Sequence, residues 1–130
     1  MYFECELIVY DVLPTARGAI AKSLIDKHGY SQIQVAKKFG VTGSAVSQYL
    51  KGVRGGNEVI DNSPSRENFY KMTERAADAI SEGLDVTEIL CTICQFVKES
   101  GIINELYAAR GSEYNPAACM ECPRLNIVFT

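Results

Sequence analysis

A glycine between two short segments of helical periodicity constrains the fold of this chain more than any other feature. Gly40 can adopt the left-handed backbone conformation that ends a helix. Ser31 before the first segment and Thr42 before the second are residue types that cap helix N-termini. Apolar residues recur at helical spacing on both sides of the glycine: Ile33, Ala36 and Phe39 before it, and Val46, Tyr49 and Leu50 after it. The pattern predicts two helices that cross at a tight turn, with the small Ala36 at their contact.

The second of these helices has one apolar side and one polar side. Val46 and Tyr49 are expected to pack against the preceding helix, while the opposite side is small and polar. That side comprises Thr42, Gly43, Ser44, Ser47 and Gln48. Such an arrangement is typical of a helix-turn-helix, although a plain helical hairpin with a solvated polar side would share it.

Charge is distributed unevenly along the 130 residues. The whole chain has 13 basic and 16 acidic residues, a net charge of −3 that taken alone argues against a nucleic-acid partner. From Pro14 to Arg54, however, seven basic residues stand against the single acid Asp26, a net charge of +6 that leaves −9 for the remainder. A basic segment joined to an acidic one is typical of a nucleic-acid-binding module fused to a second region.

The segment SQIQVAKKFGVTGSAVSQYLKG over 31–52 resembles the xenobiotic-response-element family, whose helix-turn-helix is of the Cro/lambda-repressor type. The longer run from Leu13 to Gly56, followed by paired cysteines, is similar to archaeal predicted regulators that join this domain to a cysteine-rich C-terminal region. The resemblance implies a transcription regulator that binds double-stranded DNA. One module that reaches a single half-site binds with modest affinity, so we expect a homodimer that spans two half-sites.

The resemblance also implies roles for individual side chains. Gln32 would contact a phosphate or orient a recognition residue, and Gln48 would read adenine through its amide, a contact that contributes about 1–3 kcal/mol of discrimination. Thr42, Ser44, Ser47 and Gln48 would face the major groove, and Lys37, Lys38, Lys51 and Arg54 would contact phosphates. Gly43 departs from the family, in which glutamine is common at this position.

The rest of the chain is predicted to be mainly α-helical with short terminal strands. Helices are expected at about 14–28, 67–81, 85–99 and 102–109, with strands at Tyr2–Val12 and Leu125–Phe129. Gly52–Arg66 is rich in turn residues and is predicted to be a linker or a small hairpin around Glu58–Ile60. We therefore expect a lambda-repressor-like domain over 1–56, a linker over 57–66, and a helical dimerisation and metal-binding region over 67–130. The apolar stripes Phe69–Ile80 and Val86–Val97 are candidates for the dimer surface, and packing against the chain's own first domain is an equally good alternative.

Four of the five cysteines form two C-x-x-C pairs, Cys91/Cys94 and Cys119/Cys122. Two such pairs can supply the four thiolates of a tetrahedral zinc site or an iron–sulfur cluster. The helical setting of the first pair, the proline after Cys122 and the family resemblance favour a cluster, with 4Fe–4S ahead of 2Fe–2S; zinc and a thiol–disulfide switch stay open. Cys5 is a further candidate ligand if the terminal strands pair, and otherwise a small buried hydrophobe.

These observations favour one class of function. No apolar run is long enough for a membrane-spanning helix and the first residues lack a basic leader, so we expect a soluble, cytoplasmic protein. The single histidine, His28, is expected at the end of a helix, where an interaction with the helix dipole suits it better than a role as a ligand. No nucleotide-binding fingerprint is present and no small-molecule substrate is evident, so we expect no enzyme activity. The leading hypothesis is a sequence-specific transcription regulator that senses redox state, oxygen or iron. A structural zinc, a thiol switch and a redox carrier are the alternatives.

Overall fold

A computed structural model describes residues 4–51 and 57–111, and every regular element in these ranges is helical. The elements are α1 (Glu4–Leu7), a π-helical turn (Ile8–Val12), α2 (Leu13–His28), α3 (Gln32–Phe39), α4 (Gly43–Leu50), α5 (Glu58–Asp61), α6 (Arg66–Ser81), α7 (Val86–Ser100) and α8 (Ile102–Ala109). The mainly α fold is confirmed for these ranges, and within them no helix combines the length and the apolar character needed to cross a membrane.

The predicted strand at the N-terminus is wrong, because α1, the π-helical turn and α2 follow one another as a helix. Leu7 and Leu13, which flank the turn, both have right-handed helical dihedrals, and the Leu13 N–H donates to the carbonyl of Ile8, five residues back. Leu7, Ile8 and Val12 are buried, a spacing that suits a wide helical turn and not the alternation of a strand. Pro14 follows directly and has no N–H to donate to the carbonyl of Tyr10.

The core of the molecule lies between α2 and α6. Both helices are 16 residues long. Their buried apolar residues belong to one cluster that includes Ile20, Ala21 and Leu24 of α2 and Phe69, Ala77 and Ile80 of α6. An ionic contact joins the same helices at the surface, where the Asp78 carboxylate lies 2.7 Å from His28 Nε2 and 3.8 Å from Lys27 Nζ. The N-terminal and C-terminal halves therefore share one core, and the predicted domain boundaries stay predictions.

The segment between α4 and α6 contains the short helix α5, whereas the sequence offered a hairpin there as one of two alternatives. The Asn57 side chain accepts a hydrogen bond of 3.1 Å from the Ile60 N–H and so caps α5, and Ile60 is fully buried. The hairpin around Glu58–Ile60 is therefore wrong, since a capped turn of helix buries the apolar side chain instead. Ser63 then anchors the chain to α8 by donating a hydrogen bond of 2.8 Å to Glu105.

The C-terminal helices agree with the predictions. Helices α6, α7 and α8 begin and end within a residue of the expected bounds. Phe69, Ala76 and Ile80 are buried in the core shared with α2, so these three residues pack against their own chain and do not form a dimer surface. Gly83 and Gly101, both with positive φ, separate the three helices. The predicted strand at Leu125–Phe129 lies outside the described residues.

Candidate nucleic-acid interface

Helix α3 begins at a reciprocal capping arrangement. The Ser31 hydroxyl accepts a hydrogen bond of 3.1 Å from the Gln34 N–H, and the Ser31 N–H donates to the Gln34 side-chain oxygen at 2.8 Å. The sequence pattern Ser-x-x-Gln signals this capping box, yet only the Ser31 half was predicted from the sequence. The box fixes the point at which the chain enters the turn-forming pair of helices.

The turn between α3 and α4 has the predicted geometry. Gly40 adopts φ 67°, in the left-handed region that favours glycine, and the Val41 N–H donates to the carbonyl of Ala36 at 3.0 Å. The Thr42 hydroxyl accepts a hydrogen bond of 3.1 Å from the Ala45 N–H and caps α4. Its own proton stays available for donation to a ligand.

Helix α4 separates its apolar and polar residues as predicted. Ala45, Val46 and Tyr49 are buried. The polar residues form an outward surface that we call the recognition face: Thr42, Gly43 and Ser44 are exposed, and Ser47 and Gln48 are half-exposed. An ideal Cβ at Gly43 would meet no atom within 4 Å, so this position leaves open space at the start of the helix.

Exposed cations border the recognition face. Lys37 and Lys38 lie in the last turn of α3, and Lys51 directly follows α4. No acidic residue occurs in the sequence between Lys27 and Lys51, so no neighbour along the chain neutralises these charges. Gln32, the first residue of α3, is also exposed, whereas the predicted phosphate contact Arg54 lies outside the described residues.

One predicted core position of α3 is wrong. Ile33 is 68% exposed, while Val35, which the predicted stripe omits, is fully buried. A spacing of three residues drifts about 60° around a helix of 3.6 residues per turn at each step. Ile33, Ala36 and Phe39 therefore cannot all face inward, and Val35 beside Ala36 fills the core instead.

The comparison with protein families bears on this part of the chain. The family model described as "Helix-turn-helix" matches residues 22–55, a range that includes α3, the Gly40 turn and α4. This part of the chain is a helix-turn-helix domain. The match covers 34 of the 130 residues, so it describes this domain and not the whole chain. Helix-turn-helix domains of this type, that of the xenobiotic-response-element family, are DNA-binding modules. Searches of the curated proteins and of the solved structures found no match.

Cys91 and Cys94 lie on a helix outside the helix-turn-helix domain. Both lie on α7, one helical turn apart; Cys91 is exposed, and Cys94 is half-buried against the core. Cys5 lies in α1, so the strand pairing that would bring it to Cys122 fails at the N-terminal end. Cys119 and Cys122 are outside the described residues. Within the described residues, no group of three or more His, Cys, Asp or Glu side chains is placed to hold a metal.

Proposed function

We propose that this chain is a sequence-specific transcription regulator that binds double-stranded DNA as a homodimer and senses redox state, oxygen or iron through an iron–sulfur cluster. The observation that carries the DNA-binding part is the recognition face, which presents five small or polar positions on a helix whose apolar side is buried. Such a helix can enter the major groove without losing its packing on the domain.

The side chains of the helix-turn-helix domain support distinct roles at DNA. Gln48 reads a base edge, because its amide both donates and accepts and can pair with adenine N6 and N7. Thr42, Ser44 and Ser47 contact bases or phosphates nearby. Lys37, Lys38 and Lys51 bind phosphates and fix the register of the helix in the groove, with Gln32 at the start of α3 beside them.

The described cysteine pair fits half of a four-thiolate ligand set. Residues three apart on a helix have Cβ atoms about 5–6 Å apart, and the exposure of Cys91 leaves its sulfur open to a cluster held from a second segment. In this proposal Cys91 and Cys94 supply two ligands, and Cys119 and Cys122, which follow the same spacing in sequence, supply two more. A 4Fe–4S cluster would make the site responsive to oxidation or to iron supply.

The packing of the helices offers a route from this site to the DNA. Cys91 and Cys94 lie on α7, and α7 packs against α6. Helix α6 in turn shares the core with α2, the helix in which the helix-turn-helix match begins. The contact of Asp78 with His28 joins α6 to the end of α2, three residues before the Ser31 cap. A change at the cysteines would therefore reposition the recognition face by shifting packed helices.

The decisive test of the sensor is purification of the full chain without oxygen, followed by a visible spectrum and analysis of iron, sulfide and zinc. We expect a brown protein that contains iron and sulfide and bleaches in air. A colourless protein with one zinc per chain would exclude the sensor and leave a zinc-stabilised DNA-binding protein. The DNA-binding part is tested separately, by selection of bound sequences from a pool of randomised duplexes; failure to enrich any sequence would refute it.

A further inference from the structure

A cationic cleft lies on the helical hairpin formed by α6 and α7. It has a volume of about 340 Å³ and is lined by Asn68, Lys71, Met72 and Arg75 of α6 and Phe96 of α7. Met72 and Phe96 are half-buried, whereas Lys71 and Arg75 are exposed, and neither cation has an acidic side chain within 4.0 Å in the part of the chain that the structure describes. An apolar floor beside two uncompensated cations suits an apolar side chain that is flanked by carboxylates.

The loop between α6 and α7 carries such a group. Leu84 is 51% exposed, one of the few large apolar side chains of the described residues that face solvent to this extent. Glu82 and Asp85 stand on either side of it and are both exposed. Gly83, with φ 102°, turns the chain at this point. The loop is thus an acidic projection with an apolar side chain between its carboxylates.

The projection and the cleft lie on one face of the hairpin. Glu82 follows Arg75 by seven residues, close to two helical turns, so both lie on the same side of α6 about 10 Å apart along the axis. One end of this face is therefore cationic and the other acidic. A two-fold axis across the middle of the face places the acidic end of each copy on the cationic end of the other. Such self-complementarity is what an isologous dimer requires.

We propose that a second copy of this chain docks on the α6/α7 face, with Leu84 of each copy packed against Met72 and Phe96 of the other. In this dimer Glu82 of each copy faces Arg75 of the other, so the same ionic contact occurs twice. This inference rests on the proposed function in one respect: it assigns the proposed homodimer to a definite surface. The cysteine pair is separate from this surface. Successive residues of a helix are rotated by roughly 100°, so Cys91 and Cys94 lie about 140–160° around the α7 axis from Phe96.

Charge reversal tests the interface in the full chain without DNA, by sedimentation equilibrium. We expect a dimer for the unmodified protein. Arg75→Glu and Glu82→Arg should each raise the dissociation constant of the dimer at least tenfold. Each substitution places two like charges opposite one another at both of the symmetry-related contacts. An equimolar mixture of the two variants should associate again, since every contact then joins opposite charges, and the double variant in one chain should regain the dimer. Glu58→Arg, an exposed reversal on α5, is the matched control and should leave the dissociation constant unchanged.

The apolar contact has its own matched pair. Leu84→Ser should weaken the dimer, whereas Val9→Ser, which removes a side chain of similar exposure from the π-helical turn, should not; circular dichroism confirms that both variants fold. A monomeric unmodified protein, variants that all stay dimeric, or a mixture that stays monomeric would each overturn the docking. A monomer that still enriches DNA sequences would overturn the docking and the homodimer but leave sequence-specific DNA binding standing. A dimer of this form that enriches no sequence would overturn only the proposed DNA binding.

Discussion

Replacement of Gln48 by alanine separates DNA recognition from folding. Gln48 is half-exposed on α4, and its side-chain amide makes no hydrogen bond to any other described residue. Alanine is also the best helix former, so the free energy of unfolding should change little. All of the effect should fall on DNA, where loss of a bidentate contact to adenine costs about 1–3 kcal/mol. At about 1.4 kcal/mol per factor of ten, this is roughly a 5- to 150-fold rise in Kd.

The assay compares two duplexes at one salt concentration, because phosphate contacts make affinity strongly dependent on salt. One duplex is the sequence that the unmodified protein enriches from a randomised pool, and the other has the same composition in scrambled order. Gln48→Ala should raise Kd for the enriched duplex and leave Kd for the scrambled duplex nearly unchanged. Equal losses on both duplexes, or no loss on either, would refute a base-reading role.

Val46 provides the matched control on the same helix. It is fully buried, and truncation to alanine removes the equivalent of two methylene groups, which costs about 1.6 kcal/mol of unfolding free energy at about 0.8 kcal/mol each, with a further cost for the cavity. Val46→Ala should therefore lower the melting temperature and affect both duplexes alike through the folded fraction. The two variants together show whether recognition and packing are divided between the two sides of α4.

Three further predictions concern other parts of the chain. Cys94→Ser should abolish any dependence of DNA binding on oxidation while the melting temperature and binding under reducing conditions persist; a redox response that survives would show that this thiol takes no part. Burial, together with the hydrogen bond from Tyr70 to the Asp61 carboxylate, raises the pKa of Tyr70 above its ordinary value of 10.0. Because the folded state then holds this proton more tightly, its contribution to the free energy of unfolding is full below the unfolded pKa and is lost as pH rises above it. Urea unfolding at about pH 9 and about pH 11 should show a smaller fall in the free energy of unfolding for Tyr70→Phe than for the unmodified protein. An equal fall in both proteins would count against this assignment. Gly43→Gln should fold normally, since the position has open space, and should change the sequence enriched from a randomised pool; an unchanged sequence would place this position away from the bases.

The features that the sequence predicts well are those set by neighbouring residues. Gly40 ends α3 and Thr42 caps α4 because a left-handed turn and an N-terminal hydroxyl act within three or four residues. The division of α4 into buried and exposed sides follows from the 3.6-residue period in the same local way. The polar surface of the candidate site was therefore predictable without any knowledge of the remaining fold.

The features that the sequence does not reveal depend on distant partners or on an ambiguous composition. Nothing near His28 indicates that Asp78, 50 residues away, is its partner. Ile8 and Val9 are β-branched, which favours a strand, but the burial of Leu7 and Val12 against other helices determines a helix. The dimer surface, the cluster and its ligands at Cys119 and Cys122 stay predictions.

The core shared by α2 and α6 determines which piece of this chain could be transplanted into another regulator. The matched range 22–55 contains Leu24 but neither Ile20 nor any part of α6. A graft of that range alone would expose to water an apolar surface that α6 covers here, and it would also lose the Asp78 contact to His28. A chimera that keeps the DNA specificity should carry the chain from α1 through α6. The exchangeable unit in this molecule is thus larger than the sequence motif by which it is recognised.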